Sequence, residues 1–333
     1  MSTPIVFVMC TEAGQLEEEA ILLVESIRKY GGDLKDTPIY SFQVRENAEI
    51  SPQTFKTLES FDVCHNRNIL NTKYPNYPLA NKPLTCAYAE QEIDAEIIVF
   101  LDSDLVFFSE PKEFLLPPGY DVGLRPEHLK FIASEGESDP NDQYWHEIYA
   151  VAGLKDAPPF VTTTVDQKKV RAYWNSGLIA ARRSAGIFTT WKNNFENLVS
   201  TKDVSTTNQD NFYLEQSIFA ATICAMKANI WQFSVGYNYP IHFHNKLLKS
   251  EQLSNFESIV CIHDHLFRER EWFRERIWVK TLKGLKNFDR TSPQYQWLYA
   301  YLSKHTTQAN IVQETLENIL FTPIVQKILP SKR

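Results

Sequence analysis

Residues 5–10 form a short apolar run, IVFVMC, rich in β-branched and aromatic side chains, the pattern of a strand buried on both faces. The loop TEAGQ separates it from EEEAILLVESIRKY, in which Ala20, Leu23, Val24 and Ile27 recur at helical spacing and which Gly31 and Gly32 terminate. The alternation then repeats. PIYSF (38–42) reads as a strand, PQTFKTLESF (52–61) as a helix, DVCH (62–65) as a strand, and NKPLTCAYAEQEI as a helix with Pro83 in its first turn. EIIVFL follows as a further buried strand. This order predicts an α/β fold built on a mostly parallel sheet flanked by helices.

The second half is less regular. YDVGL (120–124) reads as a strand, and residues 125–170 as a long irregular insertion with a mobile acidic part, EGESDPND, and an aromatic substrate wall, YWHEIY. YWNSGLIAA (173–181) is a strand interrupted by Gly177, which signals a close backbone approach. SAGIFTTWKNNFENL and NFYLEQSIFAATICAMKAN read as helices, and the short strands IWQF and SIVCIH bracket YNYPIHFH. From residue 267 the pattern is largely helical, so the expected division is a catalytic domain at 1–265 and a basic, aromatic helical extension at 266–333.

Charge changes the picture in two ways. Thirty-four basic against forty-one acidic residues give a formal charge of -7, which excludes nucleic acid as a partner for the whole chain. Residues 266–333, however, carry twelve basic and six acidic side chains, and include Trp272, Phe273, Trp278 and several arginines. That segment reads either as a lid packed on the catalytic domain or as a peripheral contact with the inner face of an anionic membrane. The five cysteines, 10, 64, 86, 224 and 261, are widely spaced with no C-x-x-C pair, and read as buried thiols of a cytoplasmic protein. No apolar run reaches membrane-spanning length.

The candidate chemistry sits at the end of EIIVFL. Asp102 and Asp104 follow five apolar residues directly, and carboxylates emerging from a buried strand must be paired, solvated or bound to a cation. Ligands of parallel sheets sit at the carboxyl ends of strands, which points to the same place and to the TEAG loop after the first strand. Oxygen ligands one residue apart suit a hard divalent cation that also takes diphosphate oxygens. His263 closes an apolar strand as Asp102 does, and with the two aspartates it would complete an oxygen and nitrogen set suited to manganese. The pairs His242/His244 and His263/His265 raise a competing reading, a zinc-dependent hydrolase.

FLDSDLVF, preceded by NKPLTCAYAEQEIDAE and followed in order by YWNSGLIAA, LEQSIFAA, YNYP and IVCIHDH, resembles the GT-A-fold nucleotide-sugar glycosyltransferases, with the motif order of glycosyltransferase family 8 across residues 4–265. The resemblance implies a GT-A, Rossmann-like mixed sheet and transfer of a sugar from a nucleoside diphosphate donor, expected to be UDP-hexose, to a hydroxyl of a glycan or lipid-linked acceptor. It implies that Asp102, Asp104 and His263 hold Mn²⁺ or Mg²⁺, that Cys10, Thr11 and Glu12 cradle the nucleoside, that Lys82 lies near the diphosphate or donor sugar, and that Ser103 belongs to the donor-binding residues. Asn175 and Ser176 match the strand beside the donor sugar, and Glu215 and Gln216 match the acidic-Gln pair that faces it. Retention of anomeric configuration is the expected course; inversion would require a base, with Asp210 or Glu215 as candidates. Two positions depart from the family pattern. Glu215-Gln216-Ser217 stands for Asp-Gln-Asp, and HDHLFRER stands for His-x-x-Gly-x-x-Lys-Pro-Trp, where Arg268 or Arg270 would supply the missing charge. A protein that binds sugar nucleotides without turning them over is the remaining alternative.

Overall fold

A computed structural model describes residues 3–200, 202, 204, 211–263 and 284–305. The chain divides into two compact units after residue 287. In chain order the first unit contains β1 (Thr3–Cys10), α1 (Gln15–Tyr30), β2 (Ile39–Gln43), α2 (Pro52–Ser60), β3 (Val63–Arg67), α3 (Asn81–Glu92), β4 (Ala95–Leu101), β5 (Leu105–Phe107), β6 (Val122–Leu124) and α4 (Asp142–Ala152). It continues with β7 (Phe160–Thr162), β8 (Lys169–Arg171), β9 (Leu178–Arg182), α5 (Ile187–Val199), α6 (Leu214–Ala225), β10 (Ile230–Gln232) and β11 (Cys261–His263). The second unit contains α7 (Pro293–His305).

The main sheet has seven strands in the order β10-β6-β9-β4-β1-β2-β3. β3, β2, β1 and β4 run parallel, β9 runs antiparallel to both β4 and β6, and β10 is parallel to β6. The expected mixed, mostly parallel sheet is therefore present. Two smaller ladders stand apart, β5 with β11 and β7 with β8, both antiparallel.

Strand alternation divides the core into two layers. Ile5, Phe7 and Met9 of β1 and Ile97, Val99 and Leu101 of β4 face one side, where Ala20, Leu23, Val24 and Ile27 of α1 cover them. Val6 and Val8, with Ile98 and Phe100, face the other side, packed with residues of α3, α5 and α6 such as Cys86, Trp191 and Phe219. Helices on both faces explain why β1 and β4 are continuously apolar. Each large side chain buried this way contributes roughly 1.5–3 kcal/mol.

The helix starts are set locally. Glu17 Oε1 accepts from Gly14 N at 3.1 Å at the head of α1, and its Oε2 accepts from Ser51 N at 2.8 Å. Ser51 in turn caps α2 by accepting from Thr54 N at 3.1 Å. One carboxylate thus ties the starts of two helices together at the edge where the site lies.

The insertion differs from the expected irregular loop. Its aromatic stretch is helix α4, with Trp145 and Ile148 buried and Tyr144 donating to Ser217 Oγ at 3.0 Å, so it forms core against α6 and not a substrate wall. The acidic stretch is pinned: Lys130 Nζ lies 2.5 Å from Asp139, and Asp142 takes both Ser134 Oγ at 2.5 Å and Arg171 Nε at 2.9 Å. YWNSGLIAA becomes a strand only from Leu178, because Trp174 instead bridges Pro126. The cysteines are free, but Cys64 is exposed and not buried, on edge strand β3. No helix among the described residues is long and apolar enough to cross a membrane. Of the expected extension, residues 266–283, which include Arg268 and Arg270, and residues 306–333 lie outside the described residues.

Candidate active site

β4 ends at Leu101 and the chain turns at once. Asp102 N donates to Gly177 O at 2.7 Å, and Leu105 N donates to Asp102 O at 3.2 Å, so Asp102, Ser103 and Asp104 form a tight turn into β5. β5 pairs with β11 in a register that sets His263 opposite Leu105. This short ladder brings the imidazole to the turn: His263 Nε2 lies 3.0 Å from Asp104 Oδ1 and 3.5 Å from Asp102 Oδ2. Potential ligand atoms of Asp102, Asp104 and His263 all lie within 4.8 Å of one another, the only such group of three among the described residues.

Three carboxylates crowd this end of the sheet, and Lys82 answers two of them. Its Nζ lies 2.6 Å from Asp102 Oδ2 and 3.5 Å from Glu215 Oε1. Lys82 comes from the first turn of α3 and Glu215 from the first turn of α6, where a carboxylate also profits from the helix dipole. Trp191 Nε1 on α5 donates to Glu215 O at 3.0 Å and anchors that turn.

Burial and charge oppose each other here. Burial would raise Asp102, but Lys82 and then His263 hold its carboxyl below the usual range. Burial would lower His263, but Asp104 and Asp102 hold it well above its ordinary value. For Glu215 burial wins over Lys82 and lifts the carboxyl to about 7.

The donor set fits a divalent cation. Two carboxylates and an imidazole match the oxygen and nitrogen preferences of Mn²⁺, and Mg²⁺ suits the carboxylates. Gly177 makes room for the group, since a β-carbon there would collide with His263 Cε1 and the Asp102 carboxylate. The close approach expected at this glycine is an approach to the site itself.

The neighbouring predicted residues converge on the same place. Ser176, fully buried, shares its single Oγ–H between Glu215 Oε1 at 3.0 Å and Gln216 Oε1 at 3.2 Å. Asn175 Oδ1 accepts from Gly177 N at 2.9 Å, and Ser103, 8% exposed, lies between the two aspartates. At the end of β1 the side chains are already engaged. Cys10 Sγ donates to Thr85 Oγ1 at 3.3 Å, Thr11 Oγ1 accepts from Ser41 Oγ at 2.9 Å, and Glu12 pairs with Arg45 at 2.6 Å while accepting its backbone N–H at 2.9 Å. A ligand at this loop would therefore meet mainly backbone.

The remaining candidate residues lie elsewhere. His242 and His244 sit on a 3₁₀ turn, residues Ile241–Lys246, not on a strand, and His244 Nδ1 lies 2.7 Å from Tyr239 Oη. They do not join a metal-holding group among the described residues. Asp210 and His265 lie outside the described residues.

One carboxylate at the site escapes the sequence reading. Glu127 is 8% exposed, and burial raises its pKa despite bonds from His128 N, Asn175 and Gln216. The available signal was position: it follows the carboxyl end of β6 as Asp102 follows β4.

No curated protein sequence matches the chain. Among solved structures, the bifunctional glycosyltransferase WbbM is similar at a TM-score of 0.50 and 13% identity, over 90% of this chain and 52% of WbbM, so the chain spans about half the length of that protein. The galactosyltransferase LgtC, solved with donor and acceptor sugar analogues, gives a TM-score of 0.47 and 12% identity over 87% of this chain and 98% of LgtC. Mouse xyloside xylosyltransferase 1 gives 0.41 and 13% over 78% and 97%. Residues 7–227 match the family model of the Rhodobacterales glycosyltransferase domain, a span that carries the end of β1, the Asp102 turn and the first turns of α3 and α6. The chain belongs to the Rhodobacterales glycosyltransferase domain family and has the GT-A fold.

Proposed function

We propose that the protein transfers a hexose from UDP-hexose to a hydroxyl of a glycan or lipid-linked acceptor, in the cytoplasm and with retention of anomeric configuration. The observation that carries this reading is the convergence of Asp102, Asp104 and His263 at the carboxyl end of β4, beside Lys82. These three residues would hold Mn²⁺ or Mg²⁺, which when bound supplies positive charge against the diphosphate of the donor and of the departing nucleotide.

Lys82 then has two tasks. It neutralises Asp102 and Glu215 in the free protein, and its ammonium is near enough to the turn to meet a diphosphate oxygen. Asn175, Ser176, Glu215 and Gln216 would line the donor sugar, and the backbone of residues 10–12 the nucleoside. Glu215 is 3% exposed and already shared between Lys82 and Ser176, which suits a carboxylate that stabilises positive charge on the sugar better than one that abstracts a proton. In the retaining course the bond from the anomeric carbon to the phosphate oxygen breaks. The acceptor oxygen bonds to the same face, and its proton passes to the departing diphosphate.

Thermal unfolding of the full chain with UDP, GDP, CMP or ADP, each with Mn²⁺ or with chelator, tests the reading. A ligand at a hundredfold excess over its Kd stabilises by about 2.7 kcal/mol. UDP should raise Tm only with Mn²⁺, and Asp104→Ala should abolish that rise. An equal rise in chelator, or a rise retained by the variant, would overturn the metal assignment; a rise with GDP alone would move the donor to another nucleotide.

A further inference from the structure

Glu127 accepts hydrogen bonds from two amide side chains at once. Its Oε2 lies 3.0 Å from Gln216 Nε2 and 3.3 Å from Asn175 Nδ2, while Oε1 accepts from His128 N at 3.3 Å. The oxygen ends of the same amides are held from the opposite side. Gln216 Oε1 accepts from Ser176 N at 3.3 Å and from Ser176 Oγ at 3.2 Å, and Asn175 Oδ1 accepts from Gly177 N at 2.9 Å.

This arrangement has a polarity. A primary amide keeps nearly the same shape when rotated by half a turn, but its donor and acceptor ends exchange. An ionised carboxylate only accepts and a backbone N–H only donates. Reversing Gln216 would set its oxygen against Glu127 and its NH₂ against Ser176 N–H; reversing Asn175 would do the same between Glu127 and Gly177 N–H. Both reversed states leave buried polar groups facing like partners, which is the costly case. Each amide nitrogen spends one hydrogen on Glu127 and keeps one.

We propose that Glu127 is a positioning residue that fixes the orientation of Asn175 and Gln216, so that the site offers two N–H donors to oxygens of the donor sugar. The proposal rests on the reading that these two amides face that sugar. It makes the local preference one for hydrogen-bond acceptors: sugar hydroxyl or ring oxygens, not hydroxyl protons.

The test uses the full chain. The side-chain NH₂ signals of ¹⁵N-labelled protein are assigned by their loss in Asn175→Ala and Gln216→Ala, with no donor present. Both pairs should shift and exchange faster with solvent in Glu127→Gln and in Glu127→Asp, the second of which keeps the charge but withdraws it. No movement of either pair in either variant would overturn the proposal. With UDP-glucose or UDP-galactose and Mn²⁺, Glu127→Gln should lower the kcat of donor hydrolysis about 10–100-fold with KM within about 3-fold, in the range expected for orienting groups. In the Asn175→Ala/Gln216→Ala background the same change should cost less than about 2-fold. A full cost in that background would mean that Glu127 touches substrate itself, and would also overturn the proposal. If the parent protein hydrolyses neither sugar nucleotide, the donor assignment has failed, and the amide signals still decide the role of Glu127.

Discussion

His263 Nε2 stands 3.0 Å from Asp104 Oδ1, although the two residues belong to distant parts of the chain. The β5–β11 ladder makes the pair, and it does so with only three residues on each strand. Cys261 and Ile262 are fully buried in that ladder, so the imidazole at its end is placed by apolar packing and not by the attraction of the carboxylates alone. Stability and site geometry are thus shared by one small element.

Lys82 would compete with a bound cation for Asp102, since its Nζ is 2.6 Å from Oδ2. Lys82→Gln should therefore keep or strengthen Mn²⁺ binding, read by isothermal calorimetry, while lowering sugar-nucleotide turnover about 10²–10³-fold, as loss of one group that stabilises developing charge does. Loss of Mn²⁺ affinity in this variant would show that the lysine organises the aspartates and does not merely balance them.

Gly177→Ala inserts a methyl group where His263 and Asp102 come together. Overpacking of this kind costs about 1–3 kcal/mol, and here the groups that must yield are the proposed cation ligands. The variant should remain folded by circular dichroism, with Tm lowered by several degrees, and should lose Mn²⁺-dependent UDP binding. Wild-type affinity for both would mean that the ligands lie farther from the strand than their positions here.

His128 gives the fold a dependence on acid. Burial, with His242 and Arg125 adding to it, pushes the imidazole down to about 3; its Nδ1 lies 2.7 Å from Thr164 Oγ1. The folded value lies below the unfolded one of about 6.5, so between those values the unfolded chain binds a proton that the folded chain does not. This contribution is complete above pH 6.5 and is lost as pH falls toward 3, at no more than about 1.4 kcal/mol per pH unit. Urea unfolding at pH 7, 6 and 5 should show a slope that His128→Gln reduces; equal slopes in the two proteins would mean that the imidazole is protonated in the fold.

Much of the architecture was legible because it is written in local periods. The apolar runs of β1 and β4 and the 3.6-residue spacing of α1 identify helices on both faces of a largely parallel sheet, and in such a sheet Asp102 and Asp104 emerge at the carboxyl edge, the side on which such sheets bind ligands. His263 was legible for the same reason, as a polar residue closing an apolar run. The insertion was not. Its aromatic residues have helical spacing, but turns and acids around them masked α4, and only burial of Trp145 and Ile148 separates a core helix from an exposed wall.

By itself the sequence determined the strand and helix order, the two apolar faces of β4 and the carboxylates at its end, because each depends on residues a few positions apart. Tertiary structure alone decided which carboxylates Lys82 answers, that His242 and His244 stand outside the group of Asp102, Asp104 and His263, and that Glu127 meets Asn175 and Gln216. Those relationships depend on β6 lying beside β9, on α3 and α6 both packing against α5, and on β11 crossing back to β5. They are long-range contacts set by sheet order and helix packing, and no local pattern of residues encodes them.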